Sequence, residues 1–324
     1  MINKLAENFE ILEKKLLKSQ NVLLVAHLNP DIDSLSSVFS LDYYLRNELK
    51  KKTTVLSVDK IDSLSSKLFP EKQIENDYNL SEYDTLMILD REDTFYKLAM
   101  DKQIENEKIK IQVINIDHHP KSPIKGALNL VNTESSATCE IIYDFFKEIN
   151  YKIPQKAAQY LLNGIFTDTG GFRHNNTTSK TLEIVSDLMK RGASVRKINQ
   201  LVFENKSLST LKLWSIALGR AELYKENGMV VSFLTEKDLK KCNASKSDAS
   251  GIAEVLNTIA GSKFSLVLYE SGPNLIKASL RSDEHKGVDV SAIAKRFKGG
   301  GHKLASGFEI KGKLKEINRK WVIE

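Results

Sequence analysis

The sequence predicts a two-domain α/β protein, with a parallel sheet flanked by helices in the N-terminal part and a smaller α/β domain behind it. Short apolar runs rich in β-branched residues recur at 21–26, 53–58, 85–89, 111–116 and 128–131. They alternate with stretches of helical periodicity, as strands buried on both faces of a parallel sheet require. Beyond residue 224 the pattern changes: runs at 264–269 and 275–280 flank the turn sequence Ser271-Gly272-Pro273-Asn274, which predicts a hairpin. The chain has 324 residues, 41% of them hydrophobic, enough for packed cores and too long for one ordinary domain. The expected division is 1–192, a helical connector at 193–223, and 224–324.

The elements follow in order. Leu5, Phe9, Leu12 and Leu16 among Lys and Glu predict an amphipathic first helix. The strand 21–26 stops at His27-Leu28-Asn29-Pro30-Asp31-Ile32-Asp33, where Pro30 forbids further pairing. His27, Asp31 and Asp33 are therefore expected on a loop at the strand's C-terminal end, before a helix over 34–50. Its bland alternative is Asp33 as a helix cap. The run 85–89 ends at Asp90, and 111–116 ends at Asp117-His118-His119-Pro120. In a parallel sheet such ends share one edge, so these groups converge although they are far apart in the chain. Carboxylates with imidazoles suit Mn, Zn or Fe better than Ca or Mg. A helix over 134–148 follows, then one opened by Pro154 that runs to Asp168 and stops at Gly170-Gly171. Asp168 closes a largely apolar stretch and needs a partner, which a metal could be. Arg173 and His174, next along, suit a nucleotide; a surface loop is the plain alternative. After a helix over 178–191 the C-terminal domain is expected to hold strands at 229–234, 264–269 and 275–280 and helices at 251–260 and 288–297. Arg281 and Gly299-Gly300-Gly301-His302 offer a forked donor and close-approaching backbone amides, an anion pocket rather than a linker.

Charge and composition narrow the classes. The net charge of +6 comes mostly from Lys spread among Asp and Glu, a solvated surface that permits an anionic substrate without requiring one. No apolar run reaches the length of a membrane span and no signal-peptide pattern opens the chain, so a cytoplasmic protein is expected. Cys139 and Cys242 form no ligand spacing and are expected to be ordinary core or surface residues.

His27-Leu28-Asn29-Pro30-Asp31-Ile32-Asp33-Ser34, Asp90, Asp117-His118-His119-Pro120, Gly164-Ile165-Phe166-Thr167-Asp168-Thr169-Gly170 and Gly299-Gly300-Gly301-His302 resemble, in this order, the motifs of the DHH phosphoesterases with a DHH-associated C-terminal domain. The chain most resembles the branch of bifunctional oligoribonucleases and pAp phosphatases. That resemblance implies a metal domain facing a substrate-holding domain across a cleft, with two divalent cations, usually Mn²⁺. Carried over, His27, Asp31 and Asp90 hold one metal; Asp33, Asp90, His118 and Asp168 hold the second; His119 faces the scissile phosphate and Asp117 orients a neighbouring group. Arg281, Gly299, Gly300, Gly301 and His302 grip a substrate phosphate. Ile32 and Ser36 stand where this branch commonly has glycines, Arg91-Glu92-Asp93 is not its usual continuation, and Ser306 replaces a common alanine; no ligand position is lost.

The expected function is hydrolysis of short oligoribonucleotides from the 5′ end and of pAp to AMP by a metal-activated hydroxide. Alternatives are a phosphodiesterase of linear dinucleotides such as pApA, a pyrophosphatase, and, in another class, a non-catalytic RNA-binding module. The intact ligand set argues against the last. Short RNA or nucleotide is the expected partner, a membrane is not, and a homodimer is left open.

Overall fold

The computed structural model describes residues 2–70, 73–91, 93–119, 123–204, 206–301, 303–317 and 320–324. They fall into two compact units, 1–205 and 206–324. In the first, helix α1 (Ile2–Lys18) precedes strand β1 (Asn21–Val25), then come α2 (Ile32–Asn47), β2 (Lys52–Leu56), α3 (Ser63–Leu68) and β3 (Thr85–Leu89). Short helices α4 (Asp93–Lys97) and α5 (Met100–Asn106) lead to β4 (Gln112–Asp117) and β5 (Leu128–Val131). Helices α6 (Thr138–Glu148), α7 (Gln155–Asp168), α8 (Ser179–Lys190) and α9 (Val195–Asn199) complete the unit.

The five strands form one parallel sheet in the order β2-β1-β3-β4-β5. Alternate side chains of each central strand enter opposite cores. Val22, Leu24, Met87, Leu89, Ile114 and Ile116 pack under α1, α2, α6 and α7, whereas Leu23, Val25, Leu86 and Ile88 meet Phe95, Met100 and Ile124 on the other face. Burial on both faces explains why the strands read as continuous apolar runs.

One boundary differs from the expected one with consequences for the site. α2 begins at Ile32, and Asp31 is its cap, its Oδ1 accepting from the Ser34 amide at 3.0 Å. Asp33, expected on the preceding loop, is thus in the first helical turn. A cap needs its side-chain oxygen two or three residues before the amide it accepts from, and Asp31 meets that condition.

The second unit comprises α10 (Leu208–Gly219), β6 (Glu222–Tyr224), β7 (Met229–Leu234), α11 (Glu236–Cys242), α12 (Ile252–Asn257), β8 (Phe264–Gly272), β9 (Leu275–Ser282), α13 (Val290–Arg296), β10 (Gly300–Gly301), β11 (Ala305–Lys311), β12 (Leu314–Ile317) and β13 (Lys320–Ile323). Its main sheet runs β10-β11-β9-β8-β7-β6, mixed in sense, with β7 and β8 parallel and β8–β9 the expected hairpin. Asn274, at φ 57°, makes that turn. The segment 193–223 is not helical throughout: α9 lies in the first unit, α10 in the second, and its last residues are strand β6. Helix α11 and strands β11 to β13 have no counterpart in the sequence reading. α11 is a seven-residue helix with five charged side chains, and β12 and β13 are four-residue strands that pair only with each other, so neither shows a sustained apolar period.

Candidate metal centre

Three neighbouring strands deliver polar groups to one edge of the parallel sheet. β1 leads into His27, β3 into Asp90, and β4 ends on Asp117 with His118 and His119 behind it. The chain leaves β1 toward β2 on one side and returns to β3 on the other, so the ends of β1 and β3 flank the switch point at which open α/β sheets bind ligands. Asp90 holds a left-handed backbone at φ 73°, a conformation Asp tolerates better than most residues. α2 contributes Asp31 and Asp33, and α7 ends on Asp168.

The two imidazoles are arranged alike. His27 Nδ1 donates to the Leu28 carbonyl at 2.7 Å, which leaves Nε2 as the lone-pair nitrogen. Among the described residues that buried Nε2 has no hydrogen-bond partner, and it lies 3.3 Å from Asp31 Oδ2 and 3.5 Å from Asp90 Oδ2. His118 Nδ1 is 3.3 Å from the Ser135 carbonyl, and its Nε2 is 3.6 Å from Asp90 Oδ1 and 3.4 Å from Asp168 Oδ2. Lone pairs aimed at carboxylate oxygens repel unless positive charge lies between them. Donor atoms of His27, Asp31 and Asp90 lie within 4.8 Å of one another, as do those of Asp33, His118 and Asp168 and those of Asp90, His118 and His119. Burial, reinforced by the charges of Asp33, Asp31 and Asp168, pushes the Asp90 carboxyl well above the usual carboxylate range. Burial and the neighbouring carboxylates do the same to Asp168, and burial raises Asp33. Burial also lowers His118, favouring the neutral, ligating form. An orphaned ring nitrogen and carboxylates that repel one another are what divalent cations would relieve, so the residues present fit two such ions.

Helix α6, from which the sequence reading took nothing functional, supports this cluster. Its free first-turn amides hold Asp33: Thr138 N donates to Oδ2 at 2.7 Å and Cys139 N to Oδ1 at 3.2 Å. The Thr138 hydroxyl donates to Asp90 Oδ1 at 2.8 Å. Cys139 and Cys242 are both buried free thiols, but Cys139 is more than an ordinary core residue, since its Sγ lies 3.7 Å from the Asp33 carbonyl and 3.3 Å from Ser37 Oγ. Thr138→Val keeps the shape and the backbone donor and removes only the hydroxyl. It is expected to weaken Mn²⁺ binding and turnover by about 10- to 100-fold with little change in melting temperature, and Thr138→Ser should restore both. A metal titration beside a thermal melt checks this; a fall in stability that matches the fall in activity would make Thr138 a packing residue.

The remaining predicted residues are placed as follows. Asp117 is buried, and its Oδ1 accepts from both the backbone amide of His119, at 2.9 Å, and His119 Nδ1, at 2.8 Å, which fixes the ring and turns Nε2 outward. Arg173 Nε donates to the Gly170 carbonyl at 2.7 Å, and His174 Nδ1 lies 3.2 Å from the Asp168 carbonyl, with its ring against the Gly170 Cα. Both side chains are exposed and brace the turn after α7. In the second unit Arg281 pairs with Glu254, Nε to Oε1 2.6 Å. The glycines do not form a free run of amides: Gly300 and Gly301 pair with Gly307 and Ser306, and a side chain at Gly299 would strike the Gly307 carbonyl and Phe308. Close backbone packing accounts for Gly299 and Gly301, a demand that a sequence cannot distinguish from phosphate binding. Pro120 and His302 lie outside the described residues.

Comparison with known proteins gives the family. Residues 21–165 match the model of the DHH family, N-terminal domain, and residues 226–321 that of the DHHA1 domain. The chain belongs to the DHH family, whose members are metal-dependent hydrolases of phosphate esters. It is 30% identical over 294 residues to the bifunctional oligoribonuclease and PAP phosphatase NrnA of Bacillus subtilis, covering 89% of each chain. It is also 30% identical over 304 residues to the probable NrnA of Streptococcus mutans, covering 92% of each. Among solved structures, an exopolyphosphatase-related protein from Bacteroides fragilis superposes with a TM-score of 0.82 at 26% identity, over 95% of this chain and 92% of that one. No helix among the described residues is long and apolar enough to cross a membrane.

Proposed function

We propose that the protein hydrolyses short oligoribonucleotides to mononucleotides and pAp to AMP, in the cytoplasm, with two Mn²⁺ ions. The observation that carries this reading is Asp90, whose two oxygens face the two histidines His27 and His118 at the switch point of the sheet. His27, Asp31 and Asp90 would hold one cation, and Asp33, Asp90, His118 and Asp168 the other. Such a pair supplies a hydroxide near neutral pH and charge neutralisation at phosphorus. The chain's own contribution is to keep His27 and His118 in the ligating tautomer, through the Leu28 and Ser135 carbonyls, and to hold Asp33 on the α6 amides. His119, clamped by Asp117, presents Nε2 to a phosphoryl oxygen. The names of the relatives support the substrate class.

The test is a hydrolysis panel of pAp, pApA, a five-nucleotide RNA and pyrophosphate, with Mn²⁺ supplied. Turnover of pAp and the RNA above the other two is the expected result. Preference for pApA would move the assignment to linear dinucleotides, and turnover of pyrophosphate alone would overturn it.

Arg281 is the proposed grip on a second substrate phosphate, for which it exchanges its pairing with Glu254. Arg281→Ala is expected to raise KM for oligonucleotides about tenfold or more and to leave bis-p-nitrophenyl phosphate, which lacks that phosphate, nearly unchanged. Equal losses on both substrates would mean that Arg281 acts at the reacting phosphorus.

A further inference from the structure

Glu140, in the first turn of α6, is 1% exposed and lies outside the set of groups placed around the cations. A carboxylate so deeply buried needs partners for its charge. One oxygen takes most of them: Oε2 accepts from the Ser136 amide at 3.1 Å, from the Ser136 hydroxyl at 2.7 Å and from the Thr181 hydroxyl of α8 at 3.2 Å. Oε1 lies 3.4 Å from Lys180 Nζ, which is shared with Asp144. A glutamate at this position of a helix commonly closes a capping box on the residue just before the first turn. Glu140 reaches one residue further back, to the peptide that joins Ser135 and Ser136.

That peptide has a second partner. Its N–H donates to Glu140, and its C=O is the one that lies 3.3 Å from His118 Nδ1. A hydrogen bond at one end of an amide fixes its plane and strengthens the acceptor at the other, so the Glu140 carboxylate sets the group that keeps His118 Nε2 free as a ligand. The next carbonyl, of Ser136, accepts from Asn176 Nδ2 at 2.9 Å, and the same nitrogen lies 3.3 Å from the Asp168 carbonyl. The turn that Glu140 closes also contains Thr138 and Cys139, whose amides hold Asp33. The Thr138 hydroxyl meets Asp90 on Oδ1, which faces His118, and not on Oδ2, which faces His27. Among the described residues no hydrogen bond of this network reaches His27 or Asp31.

We infer that Glu140 is a positioning residue for one of the two proposed cations only, the one assigned to Asp33, Asp90, His118 and Asp168; the inference rests on the two-cation reading above. Glu140 touches neither that ion nor a substrate. It acts by orienting the Ser135–Ser136 peptide and the first turn of α6.

The experiment titrates Mn²⁺ into the metal-free full chain. Calorimetry reads the number and affinity of the ions, and electron paramagnetic resonance reads their proximity, because an adjacent pair of Mn²⁺ ions is spin-coupled and loses the resolved hyperfine signal of an isolated one. Glu140→Leu removes every acceptor at similar volume. The wild type is expected to take two ions, and the leucine protein to take the first with unchanged affinity and the second about tenfold or more weaker. Its isolated-ion signal should therefore persist at Mn²⁺ concentrations where the wild type shows the coupled pair. Glu140→Gln keeps an oxygen for Ser136 and is expected to recover most of the second ion. If the leucine protein does not fold, Asn176→Ala, on a half-buried loop position, carries the test from the other end of the network, with the loss again confined to the second ion. Equal weakening of both ions alongside a lower melting temperature would make Glu140 an ordinary helix cap and overturn the inference, as would an unchanged second ion in the folded variants. A wild type that takes a single ion would overturn the two-cation reading and the inference with it, so the wild-type titration tells the two failures apart.

Discussion

Asp90→Asn is expected to abolish hydrolysis and, in metal-free protein, to raise the melting temperature. The loss should reach about 10³-fold or more, because among the described residues Asp90 faces both ring nitrogens and, in the proposed arrangement, would be shared by both cations. The gain in stability follows from the raised carboxyl. A group whose pKa is higher in the folded than in the unfolded chain favours folding when protonated, and that advantage disappears as pH rises through the folded value. At neutral pH, above the unfolded value, a carboxyl at position 90 is therefore a cost, imposed by burial and by Asp33, Asp31 and Asp168. Asparagine keeps an oxygen for the Thr138 hydroxyl and removes the charge. Each kcal/mol released should appear as about 2 to 4 °C in a domain of this size. The gain should vanish below about pH 4, where the wild-type group is protonated in both states. Thermal melts across pH, with and without Mn²⁺, distinguish the outcomes. If the variant melts lower than the metal-free wild type at pH 7, Asp90 supports the fold rather than a cation; if it still turns over substrate, the shared-ligand arrangement fails.

The second large effect is expected from Gly164→Ala. Alanine normally suits a helix interior better than glycine by about 1 kcal/mol. Here the new methyl would overlap both Asp33 Oδ1 and the Cys139 thiol. Asp33 is fixed from the far side by the Thr138 and Cys139 amides, so neither partner can withdraw freely. The variant should lose about 10²-fold in activity, bind Mn²⁺ more weakly, and be destabilised by about 1 to 3 kcal/mol as an overpacked core. Cys139→Ala in the same chain relieves one of the two overlaps and should recover stability more than activity. Recovery of both in parallel would show that the thiol, not the carboxylate, limits the space at Gly164.

How much of this was legible in the sequence depended on whether a residue's role is written in its own neighbourhood. The strands of the parallel sheet were, because burial on both faces demands unbroken apolar runs, and the ligand candidates were, because each follows such a run or closes an apolar helix. Asp33 was assigned to the wrong element because the helix starts two residues earlier than expected, since a cap depends on where Asp31 Oδ1 reaches. Thr138 left no trace, because a threonine at a helix start looks the same whether its hydroxyl meets solvent or a carboxylate 48 positions away. Gly164 could be recognised as part of a motif but not explained, because the atoms that exclude a side chain there come from two other helices. The glycines at 299 to 301 show the converse, a local pattern that suggests phosphate binding at positions where close backbone packing by itself requires two of the three, Gly299 and Gly301.

The strand order β2-β1-β3-β4-β5 also has a consequence for how the protein is made. Each strand after β1 joins an edge that already exists, β2 on one side and then β3, β4 and β5 in succession on the other. No strand has to be inserted between two formed earlier, so a chain emerging from the ribosome can lay down the sheet as it appears. The negative charges arrive in the same order. Asp31, Asp33 and Asp90 are together before β4 brings His118, and Asp168 comes only with α7. During that interval the nascent sheet edge holds three carboxylates without His118, and a cation captured then would act as a folding ligand before the second unit has been synthesised.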